Sequence, residues 1–360
     1  MKSENFVKES VRKMAEYRVP GEDAPVKLNQ NESPYDIPLG IKQEITARLN
    51  SRAWNRYPPE VPETLIRQIS RYTGVEESMI LPANSSNELI QSVITAVCNS
   101  GDTLLTVTPG FSSFSRMSAA LDLNLAEVPL KEDLSFDVEE ILQAGQRARM
   151  VILASPNNPT GSILTPEEVE WLAGNLDCPV VIDEAYFEFS GQTVQGLLAG
   201  YENLLIIRTF SKALSGAALR LGYMLASADW CREVRKVKMP FSVGLLQQVA
   251  GEVLLQKREL FSGAINYILA ERERLYEALE GMTDIRPYPT SANFILFKAD
   301  GISAGEIFES LSEKGIQLRY FNSPGLENCL RVSVGTKLEN DVFLRELRRV
   351  LEREKVEVVV

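Results

Sequence analysis

The fold is decided by three stretches of sequence, MVILASPNNPTG (150–161), PVVIDEAY (179–186) and LLIIRTFSK (204–212). Each stretch starts with a short run of apolar residues, which is typical of a buried strand. Polar residues then follow, and together they supply an amide, a carboxylate, a phenol and an amine. Because ligands of open parallel sheets bind beyond the carboxyl ends of the strands, we expect these groups to meet at one edge of a sheet.

The rest of the chain alternates helical and extended patterns from about residue 60, which favours an α/β fold with a mostly parallel sheet. The string TPEE (165–168) is a helix capping box with proline in the first turn. After Pro240 a helical pattern continues to about Leu279, and short strands and helices follow it. The sequence therefore predicts an N-terminal arm (1–30), a large domain (31–245), and a small α+β domain (246–360) that begins with the long connecting helix.

The composition limits the partners and the location of the protein. Its 38 basic and 49 acidic residues give a formal net charge of −11, which argues against a general affinity for nucleic acid or anionic lipid. No window approaches the ~18 apolar residues of a membrane span, and residues 1–12 lack the apolar core of a secretion signal. The four cysteines are far apart, as is typical of reduced thiols. We therefore expect a cytoplasmic protein.

The chain contains no histidine. This excludes histidine triads, imidazole acid–base catalysis and histidine-ligated metals, and we expect no metal site. Any proton transfer must use lysine, tyrosine, cysteine or a carboxylate. A dinucleotide-dependent dehydrogenase also lacks support, because no G-x-G-x-x-G motif follows the first strand.

The three strand ends, taken in order, resemble those of the aspartate-aminotransferase-like enzymes of fold type I, which use pyridoxal 5'-phosphate (PLP). Each motif alone is ordinary: N-P-x-G is common turn chemistry, and an isolated F-S-K carries little information. Their order at consecutive strands is what carries the resemblance, which extends from about Tyr17 to Thr336. It implies a large domain with a mostly parallel seven-stranded sheet flanked by helices, and a smaller α+β domain.

The resemblance also implies roles for the residues that would surround the cofactor ring. Lys212 would hold the cofactor as a Schiff base and then move a proton between the substrate Cα and the cofactor C4′. Asp183 would pair with the pyridine nitrogen, so that the ring accepts electrons. Asn158 and Tyr186 would bind the phenolic oxygen, and Phe111 would stack on the ring.

A second group of residues matches the family's phosphate-binding positions. Ser86 and Asn87 open an apolar-periodic helix, whose N-terminus is a natural anion site. Ser85 stands where the family usually has glycine, so the sequence departs from the pattern at this position and leaves the backbone geometry there open. The other phosphate ligands implied by the resemblance are Thr209, Ser211 and Arg220. Tyr57 matches a tyrosine that reaches the phosphate of the neighbouring subunit, which implies a homodimer with shared active sites.

Within this superfamily, several local strings resemble the histidinol-phosphate aminotransferases. KLNQNESPY (27–35) is similar to their N-E-N-P-Y entry segment and contributes Asn31, although Gln30 and Ser33 depart from the common residues. YRVPG (17–21) is similar to an arm whose tyrosine, here Tyr17, contacts the substrate phosphate. GIQLR (315–319) and CLRVSVGT (329–336) are similar to a region with two arginines, and these are Arg319 and Arg331.

A pair of guanidinium groups on adjacent strands would form a forked anion clamp that suits a phosphate. The resemblance therefore implies the reaction of L-histidinol phosphate with 2-oxoglutarate, which yields imidazole-acetol phosphate and L-glutamate. A PLP-dependent threonine-phosphate decarboxylase is a rival interpretation, because the sequence does not decide which Cα bond breaks. An aminotransferase for aromatic or other amino acids is a further rival, and a catalytically inactive module of the same fold is a remote one.

Overall fold

A computed structural model of the protein describes residues 6–16, 24–321 and 323–357. The predicted substrate residue Tyr17 lies outside these ranges. Within them, no helix combines the length and the apolar character needed to cross a bilayer.

The strands, in chain order, are β1 (Val26–Lys27), β2 (Ile80–Ala83), β3 (Thr103–Thr108), β4 (Asn124–Pro129), β5 (Met150–Ala154), β6 (Val180–Asp183), β7 (Leu204–Thr209), β8 (Gly222–Leu225), β9 (Ile285–Pro287), β10 (Phe294–Ala299), β11 (Ile316–Gln317), β12 (Arg319–Phe321) and β13 (Cys329–Ser333). The helices are α1 (Glu9–Arg12), α2 (Leu39–Asn50), α3 (Glu63–Thr73), α4 (Ser85–Val97), α5 (Ser112–Ala120), α6 (Val138–Gly145), α7 (Pro166–Asn175), α8 (Phe187–Ser190), α9 (Ala228–Val237), α10 (Leu245–Gln256), α11 (Glu259–Glu280), α12 (Ala304–Glu313) and α13 (Lys337–Glu357).

The central sheet has seven strands in the order β2-β8-β7-β6-β5-β3-β4. Strand β8 runs antiparallel to both of its neighbours, and the other pairings are parallel. Every residue of β5, β6 and β7 is buried, as expected for parallel strands covered on both faces. The predicted α/β fold with a mostly parallel seven-stranded sheet is therefore confirmed.

Alternate residues of the central strands point into two separate apolar layers. On one face, Val151 and Ile182 pack with helices α2, α3, α6, α7 and α10. On the other face, Ile152 and Val181 pack with helices α4, α5 and α9. The two layers hold the strands rigidly, so the loops that follow the strands start from fixed positions.

The C-terminal part of the chain forms a second sheet, which is antiparallel and has the order β12-β13-β10-β9. Its apolar face, which includes Phe297 and Leu330, packs against residues of α11, α12 and α13 such as Phe343. Strand β1 pairs in parallel with β11 and so joins the start of the described chain to this part. The division into an arm and two domains remains a prediction.

Two helices differ from the sequence-based expectation. The single helix predicted from beyond Pro240 to about Leu279 is in fact two, α10 and α11, with a break at Lys257 and Arg258. The two helices pack differently, because α10 is buried on all sides from Gln248 to Leu255 whereas α11 buries only a stripe. Within the arm, the sequence also predicts a short helix around Asn5–Tyr17, whereas in the described residues α1 covers only one turn.

Candidate active site

The strand ends that carry the predicted chemistry meet at one edge of the central sheet. Asp183 is the last residue of β6 and is paired in register with Ala154 of β5 and Ile207 of β7. Lys212 follows the end of β7 by three residues. These positions place the carboxylate and the amine beside the same cavity.

This cavity has a volume of about 810 Å³, which is the size expected for a site that binds a cofactor and a small substrate. Its walls come from the strand ends of the central sheet and from β12 and β13 of the second sheet. Nearly all the residues predicted from the sequence line it: Asn31, Ser86, Asn87, Phe111, Asn158, Asp183, Tyr186, Thr209, Ser211, Lys212, Arg220, Arg319 and Arg331. Since the chain has no histidine, no imidazole lines the cavity.

Lys212 is the amine of this site. Its Nζ donates a hydrogen bond to the backbone oxygen of Gln30, at 2.9 Å, and lies 5.7 Å from the centre of the Tyr186 ring. Withdrawal from bulk water, together with the nearby charge of Arg331, lowers the pKa of Lys212 to about 7. A neutral amine is therefore available near neutral pH, as a nucleophile or base requires.

Asp183 is the buried carboxylate of the site. Its Oδ1 accepts a hydrogen bond from the backbone N–H of Ala185, at 3.1 Å. Burial raises the pKa of Asp183 to about 7, although that hydrogen bond acts in the opposite direction. A cation beside Asp183 would favour its ionised form, so the site is suited to a protonated ring nitrogen.

Tyr186 is held at the centre of a hydrogen-bonded network. Its hydroxyl accepts from Nδ2 of Asn31, at 3.0 Å, and from Nδ2 of Asn158, at 3.4 Å. Asn158 in turn accepts through Oδ1 from Arg331, and Asn31 accepts through Oδ1 from the hydroxyl of Ser333, at 3.0 Å. The network therefore connects the Tyr186 phenol to the strand that carries Arg331.

Two residues of this network, Asn29 and Ser333, were not predicted from the sequence. The backbone oxygen of Asn29 accepts from Nη2 of Arg331, at 2.7 Å, and Oγ of Ser333 accepts from the backbone N–H of Asn31, at 2.8 Å. Ser333 lies two residues after Arg331 on β13, so strand alternation places both on one face. That spacing was a usable signal for Ser333, whereas the backbone contact of Asn29 leaves no trace in the sequence.

The start of helix α4 forms an anion-binding corner of the cavity. Ser86 and Asn87 lie in its first turn, and the side chain of Asn84 does not cap it, so first-turn N–H groups are available for an anion. Ser85 has a φ of 71°, which is the left-handed conformation that favours glycine. Ser85 therefore adopts a conformation that glycine adopts without strain.

Strand β8 passes very close to this corner. A Cβ on Gly222 would lie 2.6 Å from the backbone nitrogen of Ser86, so only glycine permits the approach. On the other side, the hydroxyl of Thr209 donates to Ser211 Oγ at 2.9 Å, and Nη1 of Arg220 donates to the same atom at 3.4 Å. The two hydroxyls, the guanidinium and the helix N-terminus are the groups that would hold a phosphate.

The remaining wall is aromatic. Phe111 precedes α5, and its ring packs edge-on against Phe114, with 5.4 Å between the ring centroids. The cavity therefore offers an aromatic face, a buried carboxylate, an amine and a phosphate corner. This set fits a flat aromatic aldehyde phosphate such as PLP.

Tyr57 does not line this cavity. Its side chain is 81% exposed and stacks on Phe241, with ring centroids 4.6 Å apart. It lies beside a separate cavity of about 620 Å³ with Trp54 and Leu246. Its predicted contact with the phosphate of a neighbouring subunit remains a prediction.

Comparison with known proteins agrees with this geometry. The family model of class I and II aminotransferases matches residues 23–347. A histidinol-phosphate aminotransferase of Prosthecochloris aestuarii is 36% identical over 346 residues, which cover 95% of this chain and 96% of that protein. The chain therefore belongs to the family of class I and II aminotransferases. Its resemblance to the histidinol-phosphate aminotransferases within that family is confirmed.

Solved structures support the fold. The histidinol-phosphate aminotransferase from Sinorhizobium meliloti, in complex with pyridoxal-5'-phosphate, matches with a TM-score of 0.89 and 24% identity, covering 96% of this chain and 98% of that one. The L-threonine-O-3-phosphate decarboxylase from Porphyromonas gingivalis matches with a TM-score of 0.80 and 22% identity, covering 91% and 99%. At these identities the likeness concerns the fold, which transaminases and decarboxylases share.

Proposed function

We propose that the protein transfers the amino group of L-histidinol phosphate to 2-oxoglutarate, giving imidazole-acetol phosphate and L-glutamate, with PLP as its cofactor. The observation that carries this proposal is the position of Arg319 and Arg331. They are direct partners across the antiparallel strands β12 and β13, and both line the cavity of Lys212. Like charges directly opposite each other destabilise a sheet, so this arrangement calls for an anionic ligand between them.

The two arginines differ in how they are held. Arg331 is buried and bonded to Asn158 and to the Asn29 backbone, so its position is fixed. Arg319 is partly exposed, and its guanidinium carbon lies 5.8 Å from the centre of the Phe321 ring. A phosphate dianion would accept charge-assisted hydrogen bonds from both, and the same pair would bind a carboxylate of 2-oxoglutarate in the second half of the reaction.

Each residue around the ring site would either hold or transfer one proton, or orient the cofactor ring. The cofactor, when bound, supplies a ring that accepts the electron pair released at the substrate Cα. Lys212, with its lowered pKa, would be the base that takes the proton from the substrate Cα and delivers it to the cofactor C4′. Asp183 would hold a proton on the ring nitrogen. Tyr186, fixed by Asn31 and Asn158, would orient the ring by a hydrogen bond to the phenolic oxygen of the cofactor.

We also propose that the working unit is a homodimer in the cytoplasm. Trp54 and Leu246 are 72% and 50% exposed and lie with Tyr57 beside one apolar cavity, as expected for a surface that a second copy covers. In such a dimer Tyr57 would donate to the phosphate in the partner's site. Replacing Tyr57 with phenylalanine should weaken cofactor binding without changing the sedimentation coefficient.

The direct test is a coupled assay of the purified enzyme with L-histidinol phosphate and 2-oxoglutarate, in which L-glutamate is measured. No glutamate from this pair would refute the substrate assignment even if the protein binds PLP. Decarboxylation of threonine phosphate remains the second candidate, because the fold is shared with that decarboxylase. Release of carbon dioxide from threonine phosphate, without glutamate formation, would favour it.

A further inference from the structure

The cavity contains one charged residue that the proposed reaction does not use. Glu127, on β4, lines the cavity together with Arg319, and its side chain is exposed. It is paired in register with Thr106 of β3 and lies on the same face of β4 as Leu125, which packs on the layer that contains α5. Its carboxylate therefore stands at the open side of the cavity, near the start of α5.

The charges of the cavity are unevenly arranged. The cationic lining residues are Lys212, Arg220, Arg319 and Arg331, and the anionic ones among the described residues are Asp183 and Glu127. Asp183 is buried at the end of β6, so Glu127 is the carboxylate that a substrate side group can reach from the open side of the cavity, which we call the mouth. Within the described part of the chain, neither Glu127 nor Arg319 has an ion-pair partner. The mouth thus presents a free negative and a free positive group at the same time.

Other residues in the wall of the same cavity suit a small polar ring. Ser112 and Ser115 of α5 and Ser323 line the same cavity and add hydroxyl groups. Phe321, partly buried, adds a flat apolar face. A planar heterocycle with N–H donors could lie against such a face and donate to the carboxylate.

We propose that Glu127 is a specificity-determining residue, which binds the nitrogen-bearing ring of the amino donor and disfavours ligands that carry a carboxylate and no distal cation. This inference rests on the proposed function, because it takes the imidazole of L-histidinol phosphate as the ring. An imidazole titrates near neutral pH and is then partly cationic, so a carboxylate is its natural partner. The phosphate would go to Arg319 and Arg331, and the two ends of the donor would match the two charges of the mouth.

The same carboxylate has the opposite effect on other ligands. Glutamate, 2-oxoglutarate and threonine phosphate each bring a carboxylate and no distal cation. Repulsion by Glu127 would raise the concentration at which they saturate the enzyme. Substitution of Glu127 should therefore lower kcat/KM for the half-reaction of L-histidinol phosphate without lowering that for glutamate, whereas a general loss of structure would lower both.

The experiment measures each half-reaction of the holoenzyme separately, by the change in cofactor absorbance. In Glu127→Gln, kcat/KM for L-histidinol phosphate should fall about fivefold to tenfold, as expected for one charge-assisted contact, while kcat/KM for glutamate stays the same or rises. Glu127→Lys should widen this difference. Glu132→Gln is the matched control, because Glu132 is exposed just after β4 and does not line the cavity, and both half-reactions should match the wild type.

The donor preference should also depend on pH. In the wild type the preference for L-histidinol phosphate should decrease as the pH rises above the pKa of its ring, and Glu127→Gln should lose most of this dependence. Equal changes in both half-reactions of Glu127→Gln, or none, would overturn the role of Glu127. Failure of the proposed function is seen separately, as a wild-type enzyme that does not react with L-histidinol phosphate at all; that result would remove the ring that Glu127 is proposed to bind.

Discussion

The guanidinium of Arg208 lies 2.8 Å from the carboxylate of Glu184, and both side chains are buried. Arg208 directly precedes Thr209 on β7, and Glu184 directly follows Asp183 on β6. The ion pair therefore connects the two strand ends that carry the buried carboxylate and the hydroxyls proposed to bind the cofactor phosphate. The guanidinium also donates to Thr193 Oγ1, at 2.6 Å, so its charge is shared by several acceptors.

We predict that Arg208→Met severely destabilises the protein. The change leaves Glu184 buried without its cation, and the loss of one partner of a buried pair costs about 3–5 kcal/mol. Urea unfolding measures the loss. In Arg208→Met/Glu184→Gln no uncompensated charge remains, so part of the stability should return. A double variant no more stable than the single one would mean that packing, and not charge, is what Arg208 contributes.

We predict that Lys212→Ala abolishes transamination and the visible absorption band of the covalently held cofactor. The amine is proposed to be both the attachment point and the base, and the loss of such a base alone costs about 10²–10⁴-fold in rate. Lys236→Ala, which alters an exposed lysine on α9 paired with Glu233, is the control and should keep both properties. Borohydride reduction followed by peptide mass analysis gives the site directly, and a cofactor fixed to another lysine would contradict the assignment.

We predict that Asp183→Asn stabilises the cofactor-free protein while it inactivates the holoenzyme. Burial raises the pKa of Asp183 from 3.8 to about 7, so the folded state binds a proton that the unfolded state has released between these values. The contribution of this group is fully present below pH 4 and is lost as the pH rises through 7. By the linkage relation the loss is about 4 kcal/mol at pH 8.

The check is a comparison of urea unfolding for the cofactor-free wild type and Asp183→Asn at several pH values. The advantage of the variant should be greatest near pH 8 and should shrink as the pH falls from 7 toward 4. If the two proteins were equally stable at pH 8, burial would not be penalising the carboxylate. Activity should be low at every pH, because asparagine cannot keep a ring nitrogen protonated.

We predict that Arg319→Gln selectively weakens the use of phosphorylated donors. Hydrogen bonds to a charged group contribute about 1.5–3 kcal/mol, so kcat/KM for L-histidinol phosphate should fall roughly 10- to 150-fold. L-Histidinol, which lacks the phosphate, should be affected far less. Arg286→Gln, on the exposed edge strand β9 of the same sheet, is the control. Equal losses with both donors would place the phosphate elsewhere.

We predict that Ser85→Gly stabilises the enzyme and preserves its activity. Ser85 has a positive φ, a conformation that costs a residue with a Cβ roughly 1–2 kcal/mol and costs glycine almost nothing. The gain is partly offset by the larger entropy of glycine in the unfolded chain, which leaves about 1 kcal/mol. Thermal unfolding of the holoenzyme measures it. Ser85→Ala keeps the Cβ and should show no such gain.

The sequence predicts the candidate site best where a functional residue closely follows a buried strand. Apolar runs identify β5, β6 and β7, and parallel strands bring their ends together by geometry alone, so Asp183 and Lys212 could be assigned to one cavity. The positive φ of Ser85 could not be predicted, because serine has no preference for it. The break between α10 and α11 was missed for a related reason: it is set by what each helix packs against, and local helix propensity is continuous across Lys257.

Side chains that act through partners distant in the chain were also missed. Glu127 looks like an ordinary exposed residue on the edge strand β4, and only the approach of the second sheet makes it part of a cavity that Arg319 also lines. Ser333 was close to a motif that had already been singled out, but its contact with Asn31 spans 302 residues of sequence. The phosphate contacts of Tyr57 and Tyr17 stay predictions. The contact of Tyr57 would be made in the site of a partner subunit, and Tyr17 lies outside the described residues.

The cavity walls contain no imidazole, because the chain has none. In proton NMR spectra of the unlabelled enzyme, any imidazole carbon-bound proton resonance would therefore come from a bound ligand. The protonation state of a donor ring could be followed through a full pH titration without overlap from histidine signals of the protein. Because the protein contributes no imidazole signal of its own, the ring that it is proposed to recognise can be observed directly.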